Sequence, residues 1–141
     1  MANTPALNFP GNVHVSQVRI ARPTDQLEAI QRFYCIGLGL PLIGSFKAHD
    51  GYDGIMLGLP DHIYHLEFTR KASGSPCPAP SEDNLLVIYV ANALEREAIY
   101  QRLERIGAKE VQPENPFWLG RSRTYADPDG WRVVICNETS V

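Results

Sequence analysis

The sequence predicts an α/β (α+β) domain made of two similar half-modules that wall a cavity. Three observations predict it. A strand-like run over 15–21 leads into a helix-like run ending Arg32-Phe33-Tyr34-Cys35-Ile36-Gly37-Leu38-Gly39-Leu40. A second strand-like run, Leu85 to Ala91, leads into a helix-like run that stops at Gly107. Short strand-like pieces and glycine turns follow each pair. The expected organisation is a single domain over 1–141, with a first module at 13–70, a linker at 71–83 and a second module at 84–137. Each half, at roughly 60 residues, would bury its own core poorly, so the two are expected to fold as one cooperative unit.

Residues 1–12 read as a leader or edge-covering arm. The first strand is expected over 13–21. Pro23 cannot continue inside a sheet and biases Arg22 away from helical angles. Thr24 or Asp25 can then cap a helix, and Asp25 with Glu28 three residues later matches a capping box. Leu27, Ile30, Phe33 and Tyr34 recur at three and four residues and make one apolar face. Gly37 and Gly39 end that helix. Strands are expected over 41–48, 52–59 and 62–70, separated by turns at His49-Asp50-Gly51 and Pro60-Asp61. The linker holds three prolines, three serines and a glycine, which marks it as a surface connection.

In the second half, Asn92 caps a helix, with Glu95 in the third position of a capping box. Ala98, Ile99, Leu103 and Ile106 mark its buried stripe. A short strand follows at Lys109 to Val111, then a proline-punctuated loop over 112–117. Strands over 120–126 and 131–137 are joined by Asp127-Pro128-Asp129-Gly130, a strong hairpin-turn text.

Composition narrows the function. Hydrophobic residues are 44% and charged residues 21%, as in ordinary globular proteins. The formal charge is −3 and no basic tract stands out, which argues against nucleic acid as a partner. Apolar runs are too short for a membrane span, and no secretory signal is evident, so the expected location is cytoplasmic. Cys35, Cys77 and Cys136 are far apart and form no CxxC pair, so neither a disulfide framework nor a cysteine zinc site is indicated. No HxH, HExxH, GxGxxG or P-loop text is present.

The helix end Phe33-Tyr34-Cys35-Ile36-Gly37-Leu38-Gly39-Leu40, the strand text Leu66-Glu67-Phe68, the Ala-Asn start of the second helix, and Asp127-Pro128-Asp129-Gly130 together resemble the vicinal oxygen chelate superfamily. This is the glyoxalase, bleomycin-resistance and ring-cleaving dioxygenase fold. The resemblance covers roughly residues 13–137. It implies paired βαβββ modules forming a curled mixed sheet around a pocket, and a homodimer. It also implies metal-ligand places on the first and last strands of each module, usually filled by histidine, glutamate or glutamine. Gln17, Glu67, Leu85 and Val134 fall at those places. Leucine and valine cannot coordinate a divalent ion, and glutamine with glutamate leaves too few donors for a tight site. The expected cofactor is therefore none. The alternative is a divalent metal such as zinc, nickel, manganese or iron, held by Gln17 and Glu67. A shift of register onto His14 would turn Gln17 away, because strand side chains alternate.

On a regular strand His65, Glu67 and Thr69 share a face. Glu67 is the candidate general base and His65 the candidate proton carrier. Arg19 shares a face with Gln17 and can grip an anion, or pair with Glu67 across the sheet. Arg132 is a further anion contact. Tyr89, Trp118 and Tyr125 are the candidate aromatic surface for a flat organic molecule. The expected function is a glyoxalase- or bleomycin-resistance-like protein that binds a small organic molecule. The alternatives are a metal-dependent lyase, isomerase or dioxygenase, or a metal-free enzyme with Glu67 as base.

Overall fold

A computed structural model describes residues 11, 13–59 and 64–137. The expected leader, apart from Gly11, and the Pro60-Asp61 turn lie outside the described residues. The first module runs β1 (Val18–Pro23), α1 (Leu27–Gln31), β2 (Leu42–His49), β3 (Tyr52–Gly58) and β4 (Tyr64–Lys71). The second runs β5 (Leu85–Tyr89), α2 (Ala93–Arg105), β6 (Lys109–Val111), β7 (Ser122–Ala126) and β8 (Arg132–Cys136). Each module forms its own four-stranded sheet, ordered β1-β4-β3-β2 and β5-β8-β7-β6. The pairs β1–β4 and β5–β8 are parallel, as a strand–helix–strand crossover requires, and the remaining pairs are antiparallel.

The expected curled sheet around a pocket is corrected by this topology. Both sheets are open: β1 and β2 are free edges of the first, β5 and β6 of the second. No strand ladder joins the two among the described residues. Four strands are half the number whose closure leaves an interior just filled by side chains. Pro23, the last residue of β1, also brings no N–H to that free edge. Its position inside β1 is a second departure from expectation, and it is tolerated because β1 is an edge.

The first helix also differs from its sequence reading. Asp25 accepts from the Ser75 backbone N–H instead of closing a capping box, and Glu28 turns to Arg70 at 2.8 Å. Thr24 Oγ1 accepts from the Gln26 N–H. After Gln31 the helix widens into a π-helical stretch, Arg32–Gly37. In α2, by contrast, Asn92 Oδ1 accepts from the Glu95 N–H at 3.0 Å, as the sequence predicts. Tyr100 and Leu103 are its buried residues, while Ala98 is exposed.

One core serves both modules. It gathers Leu27, Ile30, Phe33 and Tyr34 from the first helix, Ile55, Leu57, Leu66 and Phe68 from the first sheet, and Leu103, Tyr125, Val133 and Ile135 from the second module. The two modules thus share buried side chains across the seam. Arg102 of α2 reinforces the join by donating to the carbonyls of Gly37 and Leu38 at 3.1 and 3.0 Å, where the first helix ends with unpaired acceptors.

Candidate functional site

Each sheet turns one face to the helices; the other is largely exposed or half-buried in the first sheet, whereas in the second its Thr124, Val134 and Cys136 are buried. In the first sheet Leu66, Phe68, Ile55 and Leu57 face the core. The alternate residues form the open face: Arg19 and Ala21 on β1, His65, Glu67 and Thr69 on β4, and Met56 on β3. Gly44, Gly54 and Gly58 lie on the same face. A Cβ on Gly54 would stand 2.3 Å from the Phe46 ring, so the missing side chain is what lets that ring lie across the strand.

The polar centre of this face is an ion pair. Arg19 Nη1 stands 3.5 Å from Glu67 Oε1, with side chains 35% and 18% exposed. Glu67 is thus sheltered and charge-matched, and still reachable. His65 is the cross-strand neighbour of Arg19, and its Nδ1 is buried without a hydrogen-bond partner among the described residues. Gln17 is not brought to Glu67. It precedes β1, and the register sets Ala21 beside Glu67.

In the second sheet the open face carries Leu85, Val87 and Tyr89 of β5, Arg132, Val134 and Cys136 of β8, and Ser122 and Thr124 of β7. Val87, not Leu85, is the neighbour of Val134, and Val134 is fully buried. Tyr89 is partly exposed there. Tyr125 faces the other way, buried in the core with its ring stacked on Tyr100 at 6.2 Å, so it does not join Tyr89. Arg132 donates to the Gln112 carbonyl at 2.9 Å and lies 3.6 Å from Glu82.

The loop after β6 bends back along this sheet. Asn115 caps a short turn, Pro116–Trp118, and Ser122 Oγ donates to the Trp118 carbonyl at 2.7 Å. Trp118, Ser122 and Thr124 line an open groove of about 420 Å³. Thr124 Oγ1 is buried there with no partner among the described residues. The donor set is therefore uneven. The first sheet offers one carboxylate already opposed by a guanidinium, and the second offers aliphatic and aromatic side chains. Among the described residues no three histidine, cysteine, aspartate or glutamate side chains are grouped to hold a metal ion.

The sequence reading missed one cluster. Asp127, read only as a turn residue, is buried, and its Oδ2 accepts from Tyr34 at 2.7 Å and Arg22 at 2.9 Å. The Arg22 guanidinium lies 4.2 Å from the Trp131 ring centroid and 5.0 Å from that of Phe68. The available signal was the pairing of Tyr34 in the helix-end text with Asp127 in the hairpin text.

The YycE-like N-terminal domain model matches residues 18–69 and the YycE-like C-terminal domain model matches residues 83–137. The chain belongs to the YycE-like family. YycE of Bacillus subtilis is 52% identical over 126 residues, covering 89% of this chain and 91% of that protein. Its crystal structure, that of a protein of unknown function, superposes with a TM-score of 0.89, covering 96% of this chain and 98% of that one. More distant solved structures share the fold. Glyoxalase I of Leishmania major, a trypanothione-dependent enzyme, is 16% identical with a TM-score of 0.67, covering 89% of this chain and 88% of its own. TnmS3, an antibiotic binding protein from Streptomyces sp. CB03234, is 19% identical with a TM-score of 0.62, covering 90% and 99%. This YycE-like protein is thus a member of the glyoxalase, bleomycin-resistance and fosfomycin-resistance superfamily, as the helix-end and hairpin texts predict. No helix among its described residues is long and apolar enough to cross a membrane.

Proposed function

We propose that this YycE-like protein is a cytoplasmic homodimer that binds a small organic molecule on the open faces of its sheets without a divalent metal. One observation carries the reading: the second-module places where the superfamily puts metal donors hold Leu85 and Val134, and the glutamate of the first module is held by Arg19. Arg19 and Glu67 give the site polarity, and Tyr89 and Trp118 give it stacking surface. The description of TnmS3 as an antibiotic binding protein fits such a role. The exposed apolar residues Leu42 and Ile43 of β2 supply surface for the second copy.

A second reading rests on His65. Its buried unpartnered Nδ1 stands on the same face as Glu67, an arrangement in which Glu67 can take a proton from a bound substrate and His65 can carry it.

The test is metal content and ligand response in untagged protein purified without added metal or chelator. Metal well below one equivalent, no tight uptake of zinc, nickel, manganese or iron(II), and a thermal shift with aromatic compounds that is lost in Glu67→Gln or Trp118→Ala are the expected results. Near-stoichiometric metal that disappears in Glu67→Ala would sink the metal-free reading.

A further inference from the structure

A cavity of about 190 Å³ lies at the seam between the modules, bordered by the free edge strands β1 and β5. It shares Glu67 and Arg132 with the open faces and adds Ile20, Leu66, Phe68, Leu86 and Trp131 at the seam itself. From its size, walls and charge we propose that this seam cavity binds a small aromatic carboxylate.

The size fits one ring: an engineered apolar cavity of about 150 Å³ stays dry and takes up benzene. The walls fit too, with aliphatic side chains from both modules and the rings of Phe68 and Trp131. Charge selects the anion. Arg22 and Arg132 both line the cavity. Glu67, its one carboxylate, is opposed by Arg19, and Asp127 behind Arg22 already accepts from Arg22 and Tyr34. Arg22 Nε is buried and lacks an acceptor among the described residues. Arg132 has one amine on the Gln112 carbonyl and the other only 3.6 Å from Glu82, whose side chain is 63% exposed. That separation is long for an ion pair and Glu82 is solvated, so Arg132, itself only 11% exposed, has no strong charged partner there and keeps charge for a ligand. A carboxylate accepts from such donors more strongly than a neutral hydroxyl does.

The test is a heteronuclear amide NMR titration of the full chain with sodium benzoate and, separately, benzyl alcohol. The expected result is saturable shifts at the amides of Ile20 and Leu86 and at the Trp131 indole N–H, with benzyl alcohol binding about tenfold more weakly. Ile20→Trp changes an exposed edge position, 52% accessible, and places a large ring at the cavity. It should weaken benzoate about tenfold while leaving the remaining amide pattern intact. Arg132→Gln should remove the preference for benzoate over benzyl alcohol. No saturable shift overturns the proposal, and so does equal affinity for the two probes. Shifts confined to Arg19, Tyr89 and the Trp118 indole overturn it as well, while leaving the open-face reading standing.

Discussion

The Tyr34 hydroxyl donates a 2.7 Å hydrogen bond to Asp127 Oδ2 across 93 residues of chain. The other oxygen of Asp127 accepts from the backbone N–H groups of Asp129 and Trp131 at 2.9 and 3.0 Å. One buried carboxylate therefore ties the first helix to the last hairpin, and through Arg22 to the first strand. Burial pushes the Asp127 carboxyl up despite these partners, and it pushes the Tyr34 hydroxyl up strongly, so Tyr34 remains a donor. Asp127 thus adds less to stability as pH rises through its raised value than it does in acid.

Removing the two partners should cost different amounts. Tyr34→Phe loses one donor and leaves Arg22 paired, at about 1–2 kcal/mol. Asp127→Ala leaves a buried guanidinium and a hydroxyl without their acceptor and frees two turn N–H groups, at about 3–5 kcal/mol. Urea unfolding of both variants checks this. Equal losses would mean that the carboxylate is not the hub of the cluster.

Much of the fold was legible because sheet and helix periods leave marks in the order of residues. Strand-like runs bounded by turn texts located the eight strands, the first of them begun five residues early, and Asn92 announced the start of α2. The Arg19–Glu67 pair was one of two readings open for Arg19, and the parallel pairing of β1 with β4 decides for it at 3.5 Å. What was not legible depends on register or on distant partners. Placing Gln17 near Glu67 required knowing which residues of two parallel strands align, and the register chose Ala21. The π-helical stretch leaves no signature, since Phe33 and Tyr34 are buried in either helix form. Asp25 satisfied a local capping pattern and yet turned to Ser75, fifty positions on. Tyr125 shares its alternation with Arg123, and only the packing of α2 shows which face is core.

Acid should act on stability through Asp53. The Ala48 N–H, 2.9 Å away, and then the Arg70 guanidinium hold its carboxyl below the ordinary value of 3.8. The folded state therefore releases this proton more readily than the unfolded state does. The stabilisation is present above pH 3.8 and is lost as pH falls below it through the folded value. Asp53→Asn removes the titration. Its unfolding free energy should fall less steeply than wild type below pH 3.8, by urea melts at stepped pH. Parallel acid limbs would reject the assignment.

Arg102 should stabilise the join between modules through geometry as well as charge. Its Nε and Nη2 reach two successive carbonyls at once. Lysine offers a single ammonium and no planar fork, so it cannot reproduce both bonds. Arg102→Lys is expected to recover less than half of the roughly 1–3 kcal/mol lost in Arg102→Ala, each bond to a charged donor being worth about that range. Full recovery by lysine would show that charge at the helix end is sufficient.

Gly37 should resist replacement because of the partner helix. A Cβ there would stand 2.8 Å from Leu103 Cδ2 and 2.8 Å from Ile106 Cδ1. Two effects compete in Gly37→Ala. Alanine gains up to about 1 kcal/mol of helix propensity over glycine. Overpacking a well-filled interface costs about 1–3 kcal/mol. The methyl would meet two side chains, one of them the fully buried Leu103, so the packing loss should win and the variant should unfold at lower urea. The coupling gives a sharper test. Leu103→Ala alone should cost about 2–5 kcal/mol through the cavity it leaves. In that background the Leu103 contact is gone and only Ile106 Cδ1 remains close, so Gly37→Ala should cost clearly less than it does in wild type. A double-mutant cycle that closes to zero would show that the two helices do not meet through this contact.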